Sequence, residues 1–216
     1  MATYFGNISD EFDLNLIMSQ LTNSKGYGGD IYYFKDYDKH LELYRKTGSP
    51  SDMSWIESLY NAGYKDPIST ATTHNPGAHF SEDIIYFLDK RFGTYCAQSW
   101  VNKLPPGKFI PLHVDNDHKD HLAKYGTLET YSIHLGDPDP GHVFFLENTC
   151  CYMEPQGTVY KWNDPFCLHA GANLGYTDKY ILLYIGLRPH TPFNFEYIWS
   201  DNMDPIQMKL ENGTII

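Results

Sequence analysis

Apolar positions in the first 93 residues recur at helical spacing. In SEDIIYFLDKRFG, Ile84, Ile85 and Leu88 fall on one face. Ser81 stands at the N-cap position, Glu82 and Asp83 complement the dipole of the first turn, and Gly93 supplies a stop. SPSDMSWIESLYNAG repeats the plan with Ser49 as cap, Pro50 in the first helical position and Gly63 as stop. DEFDLNLIMSQLTNS predicts a third helix.

From Tyr95 the period changes. Short runs rich in Val, Ile, Tyr and Phe alternate with Gly, Pro, Asn and Asp clusters: YCAQSWVNKL, FIPLHVD, ETYSIHLG, HVFFLEN, CCYMEP, GTVYKW, FCLHAGA and KYILLYIGL. Eight strands without helical interludes predict a mainly β, antiparallel sandwich or barrel, and eight is the strand count of a jelly roll. The expected organisation is a single domain with a helical region at 1–93, the β core at 94–190 and an extension at 191–216. That extension, aromatic at first and then polar, is expected to pack on the barrel before fraying.

Composition narrows the partners. The 216 residues carry a formal charge of −11, and no basic cluster is present to bind a phosphate backbone, so no nucleic-acid partner is expected. No apolar run approaches the roughly 18 to 20 residues that cross a bilayer, so no membrane partner is expected either. The first residues show neither a basic start nor an apolar central stretch, which makes a soluble, cytoplasmic protein the expectation, and NGT at 212–214 a chance match to a glycosylation acceptor. Cys96, Cys150, Cys151 and Cys167 show no CxxC spacing and are read as reduced. A small molecule or a peptide remains as the partner; the composition leaves the oligomeric state open.

Residues two apart on a strand point to the same face, so LHVD presents His113 and Asp115 as two adjacent ligands for one ion. Phe109 and Pro111 would share that face, with Ile110, Leu112 and Val114 behind it. Asp117, His118, Asp120 and His121 in NDHKDH read as a solvated loop. His169, in the apolar run FCLHAGA, is the candidate third ligand. Together the three spell the two-His, one-carboxylate facial triad of non-haem Fe(II) oxygenases, although zinc would accept the same groups.

The phrases LPPGKFIPLHVD, SIHLG, GTVYKW and HAGANLGYTDKYILLYIGL, in this order over residues 95 to about 188, resemble the double-stranded β-helix (jelly-roll, cupin-like) core of the Fe(II)/2-oxoglutarate-dependent oxygenases. The nearest likeness is to the aspartyl/asparaginyl β-hydroxylase-like branch. The resemblance implies N-terminal helices packed on that core, with His113, Asp115 and His169 as the Fe(II) ligands and catalytic centre, and 2-oxoglutarate and O2 as co-substrates. It also implies a co-substrate site at Lys179, His134, Ser132 and Asn173. Lys179, ten residues after His169, would grip the far carboxylate of 2-oxoglutarate, with Arg188 as the other cation that could do so. A buried carboxylate needs such a cation to offset its desolvation. The branch usually has Arg at both the Lys179 and Ser132 positions, and it often lacks the acidic ligand that Asp115 supplies here. The activity implied is hydroxylation of an amino-acid side chain or small metabolite, with succinate and CO2 as products.

Two other readings compete. A cupin-type metal protein would have Gly107 six residues before His113 and the His-x-x-x-Asn of HAGAN, but Asp115 replaces its second His and the phrase around Pro165 does not fit. A jelly-roll recognition protein without a metal would use its many Tyr and Trp to line a groove.

Overall fold

The computed structural model describes residues 2–23, 31–32, 71–75, 81–114, 122–163, 167–198 and 207–216, with the backbone alone at 21–23, 31–32, 71–75 and 111. In chain order these form β1 (Thr3–Asn7), α1 (Leu14–Asn23), β2 (Ile31–Tyr32), β3 (Ala71–Asn75) and α2 (Glu82–Phe92). Eight strands follow: β4 (Tyr95–Leu104), β5 (Phe109–His113), β6 (Gly126–His134), β7 (His142–Leu146), β8 (Thr149–Tyr152), β9 (Thr158–Trp162), β10 (His169–Asn173) and β11 (Lys179–Pro189). A hairpin of β12 (Phe195–Ile198) and β13 (Gln207–Leu210) closes the series. The helix anticipated at 49–63 lies outside the described residues.

Strands β4 to β11 divide four and four between two antiparallel sheets. The larger has the order β1-β9-β6-β11-β4-β3-β2 and the smaller β5-β10-β7-β8. The larger sheet takes β4, β6, β9 and β11 and the smaller β5, β7, β8 and β10, so the chain crosses between sheets at every step except the β7–β8 hairpin, which is the winding of a double-stranded β-helix. Strand β11 sits inside the larger sheet, paired along its length with β4 and β6. Covered on both faces, it reads as the near-continuous apolar run YILLYIGL rather than as an alternation.

The helices cover the outer face of the larger sheet. In α2, Ile84, Ile85, Leu88 and Phe92 are buried, each contributing roughly 1.5 to 3 kcal/mol. Phe92 stacks on Tyr131 of β6 at 4.0 Å and 8°, and Phe5 of β1 meets both rings edge-on at 5.5 and 5.4 Å. Gly93 ends the helix as anticipated, with φ 66° and ψ 38°. Ser81 occupies the N-cap position but makes no side-chain cap bond. Its Oγ accepts from Gln20 Nε2 and its N–H donates to Gln20 Oε1, both at 2.9 Å, so Ser81 ties α2 to α1.

Two expectations about faces and ends change. His169 is opposite His113 while Gly171 is opposite Ile110, so β5 carries one extra residue, a bulge. The bulge places Ile110, not Phe109, on the face of His113, and Leu112 is 44% exposed rather than packed behind the strand. At the C-terminus, Met208 and Ile216 exchange backbone hydrogen bonds at 2.9 Å in both directions, so this end is tied down rather than frayed. Among the described residues no helix is long and apolar enough to cross a membrane.

Candidate metal centre

The inward face of β10 carries His169, Gly171 and Asn173, each facing a residue of β7: Leu146, Phe144 and His142. Pairing with β5 sets His113 directly across from His169, with ring centroids 4.3 Å apart and inclined at 52°. His169 is buried, and its Nδ1 donates to the Cys167 carbonyl at 3.0 Å. A carbonyl can only accept, so the proton is on Nδ1 and Nε2 holds the lone pair, the form in which imidazole binds a metal. Trp162 of β9 lies 5.3 Å from the His169 ring.

Asp115, like the Asp117, His118, Asp120 and His121 that follow it, lies outside the described residues. Among the described residues no three His, Cys, Asp or Glu side chains form a group that could hold a metal ion. The two described members of the anticipated triad are brought together, by a strand pairing between segments far apart in the sequence.

Lys179 opens β11 and turns inward. It is 2% exposed, and its Nζ donates to the carbonyl of Val143 in β7 and lies 5.8 Å from the Phe144 ring centroid. Burial pushes this amine down to about 7, a fall that Cys151 and Cys150 only partly offset. Among the described residues no carboxylate pairs with it.

His134 ends β6 on the same interior. Burial holds its pKa near 3, with the Lys179 charge and His142 adding to the effect, so it is neutral at physiological pH. Its ring meets Phe144 at 5.9 Å and Tyr160 at 6.2 Å. Ser132, two residues earlier and hence on the same face, is fully buried. Ser132 Oγ and His134 Nε2 are both enclosed with no hydrogen-bond partner among the described residues, a state that costs about 1 to 3 kcal/mol per group unless a ligand satisfies it. A buried cation, a neutral imidazole and a hydroxyl thus converge beside the His113 and His169 pair. The set fits a metal whose chelating ligand ends in a carboxylate.

Asn173 is wholly buried and fully engaged. Its Nδ2 donates to the carbonyls of Leu104 and Thr177 at 2.7 Å, and its Oδ1 accepts from the Gly175 N–H at 3.0 Å. The amide therefore fixes the turn that delivers Lys179. Arg188 sits nine residues along β11, roughly 30 Å from Lys179 at about 3.3 Å per residue. Its Nε and a terminal nitrogen clamp Glu129 at 2.9 and 2.8 Å, and it also donates to the carbonyls of Phe92 and Gly93. It is spent on the outer face.

Tyr160 and Cys151, to which no sequence motif assigns a role, line the same interior. Tyr160 donates to Glu154 Oε1 at 2.9 Å and pairs across the sheet with Ser132. Cys151 is buried opposite Phe144, and burial pushes its thiol up. Strand alternation in GTVYKW and CCYMEP carried that signal, but only the register says which alternate face is the inner one.

Fold and site together define a double-stranded β-helix protein with a histidine pair and a buried lysine inside the barrel. No protein-family model matches the chain, and no curated protein matches it by sequence. The solved structures it is similar to include 2-oxoglutarate/Fe(II) oxygenases and a predicted oxalate decarboxylase from Thermotoga maritima, the latter at 18% identity and TM-score 0.32 over 54% of this chain and 79% of that one. One is an oxidoreductase of the 2OG-Fe(II) oxygenase family from Burkholderia pseudomallei, at 19% identity and TM-score 0.35, covering 50% of this chain and 52% of that one. Another is the viral collagen prolyl hydroxylase of Paramecium Bursaria Chlorella virus-1, solved as its 2OG complex, at 22% identity and TM-score 0.42 over 60% and 87%. A Pseudomonas putida prolyl-4-hydroxylase matches at 12% identity and TM-score 0.43 over 81% and 98%. The chain spans about half the length of the Burkholderia protein.

Proposed function

We propose that the protein is a non-haem Fe(II)- and 2-oxoglutarate-dependent dioxygenase that hydroxylates an amino-acid side chain, in a peptide or free, or a small metabolite. The observation that carries the reading is Lys179: a cation buried in the barrel beside the histidine pair, with no carboxylate to neutralise it among the described residues. A cupin-type metal protein would share His113 and His169, but Asp115 replaces its second His. Kinship with the aspartyl/asparaginyl β-hydroxylase-like branch rests on the sequence phrases alone.

In this reading His113, Asp115 and His169 hold the iron. When bound, the metal supplies the oxidative chemistry: dioxygen is consumed, 2-oxoglutarate loses CO2 to become succinate, and a substrate C–H becomes C–OH. The chain's own groups do the positioning. Cys167 holds His169 in its ligating tautomer. Lys179 offers its ammonium to the far carboxylate as a point charge rather than a fork. Ser132 and His134 offer a hydroxyl and a neutral imidazole to the same ligand, and Asn173 acts through Lys179 by fixing the turn before it.

The test is anaerobic addition of Fe(II) and 2-oxoglutarate to the folded protein, followed by measurement of succinate formation in air. A weak visible charge-transfer band is expected with both additions present. His113→Ala and His169→Ala should each lower succinate formation at least 100-fold while the far-ultraviolet circular dichroism is kept. A folded protein without the band, or undiminished succinate from either variant, would overturn the assignment.

A further inference from the structure

Gly171 lies in the middle of β10 on the inward face, between His169 and Asn173. Glycine there weakens the strand, by roughly 0.5 to 1 kcal/mol relative to alanine, and nothing in the backbone asks for it. Its φ is outside the left-handed region, and the bulge residue is on β5, not β10. A Cβ at this position would touch no backbone. It would meet only Leu104 Cδ2 at 3.6 Å and Lys179 Nζ at 4.0 Å, which are ordinary contact distances. Nor does the ring of Phe144, its cross-strand neighbour, cover it, because no atom of that ring comes within 4 Å of the Cβ position.

The absent side chain therefore leaves room the size of a methyl group, bordered by Leu104 Cδ2 and Lys179 Nζ, and that room has a definite place. One step along the inward face, about 6 to 7 Å, separates Gly171 from His169, and Lys179 Nζ stands directly over it. The enclosed Ser132 Oγ and His134 Nε2 belong to the same interior. Glycine inside a strand commonly marks the close approach of a ligand.

We propose that Gly171 determines the length of co-substrate the site accepts, its missing side chain holding open the passage from His169 to Lys179 in which the carbon chain of a 2-oxo dicarboxylate lies. This rests on the function proposed above. It assigns the passage to a residue that neither ligates metal nor carries charge.

The experiment is calorimetric titration of Zn(II)-loaded protein, which needs no turnover. 2-Oxoglutarate spans the passage, whereas oxalate chelates the metal without entering it. Gly171→Ala should weaken 2-oxoglutarate at least tenfold, and Gly171→Val should abolish its binding, while oxalate affinity and the thermal midpoint stay within error. Ala172→Ser, one residue on and facing outward, should change neither affinity. If wild-type protein binds oxalate but not 2-oxoglutarate, the proposed function falls and the passage with it. If wild type binds both and Gly171→Ala binds 2-oxoglutarate within twofold of it, the passage alone is overturned. Equal loss of both ligands in Gly171→Ala would also overturn it, since the substitution would then have damaged the metal end.

Discussion

Lys179 and His134 share one interior and show how burial sets charge side chain by side chain. The lysine's pKa of about 7 lies below its ordinary 10.5, so between those values the unfolded chain binds a proton that the folded chain does not. The cost of burying the ammonium is therefore complete below pH 7 and fades as pH rises toward 10.5. A bound carboxylate restores the charge. Above pH 7, 2-oxoglutarate binding should take up a proton and weaken by up to tenfold per pH unit. Titration calorimetry at pH 6.5, 7.5 and 8.5, in buffers with different ionisation heats, measures both effects. Lys179→Met should raise the 2-oxoglutarate requirement at least tenfold and flatten the pH dependence; a steep dependence in that variant would move the carboxylate anchor elsewhere.

At the level of elements, Asp89 of α2 fastens the helix to three strands. Its carboxylate accepts from Tyr184 of β11 at 2.5 Å, from Tyr197 of β12 and from the Cys96 N–H of β4 at 2.9 Å. Burial nevertheless raises its pKa to about 6, against the three donors. A raised acid is the reverse of the usual carboxylate: its contribution is complete below pH 3.8 and is lost as pH climbs to about 6, a span worth about 3 kcal/mol. Urea melts of wild type and Asp89→Asn should show their stability difference shifting by about that amount between pH 4 and 6.5, with wild type relatively stronger in acid. A constant difference would mean that the clamp is not titrating. Most elements were legible beforehand. The apolar period of 84, 85 and 88 marked α2, and short runs rich in Val, Ile, Tyr and Phe between turn residues marked all eight barrel strands. The bulge in β5 was not legible, because two residues oppose one only when β10 lies alongside. Nor were β1, β3 and the hairpin: TYFGN and ATTHN are short and gain their order from partners distant in the sequence, and FEYI is a four-residue strand paired only with the equally short QMKL.

On the scale of the whole molecule, the barrel interior encloses Ser132 Oγ and His134 Nε2 without hydrogen-bond partners among the described residues. Ligands that bind only the folded state should stabilise it by mass action, about 2.7 kcal/mol at one hundred times Kd. For a chain of this size that is roughly 5 to 10 °C in thermal midpoint. Zn(II) with 2-oxoglutarate should reach this shift, and 2-oxoglutarate without metal should give less than half of it. Equal shifts with and without metal would separate the dicarboxylate site from the histidines. A thermal scan with the four combinations of ligand decides it.

The sequence by itself determined the succession of eight short strands and turns from Tyr95 on, the residue types His113, Asp115 and His169, and a lysine ten residues past the last of them. Those are local properties, set by period, turn chemistry and spacing. The tertiary structure decided which of the candidate groups work together. It turned Lys179, Ser132 and His134 into one enclosure, committed Asn173 to a turn and Arg188 to Glu129, and set Gly171 beneath Lys179. The physical reason is that a strand's spacing allows two faces, and only pairing with distant strands fixes which one is buried and what it meets there.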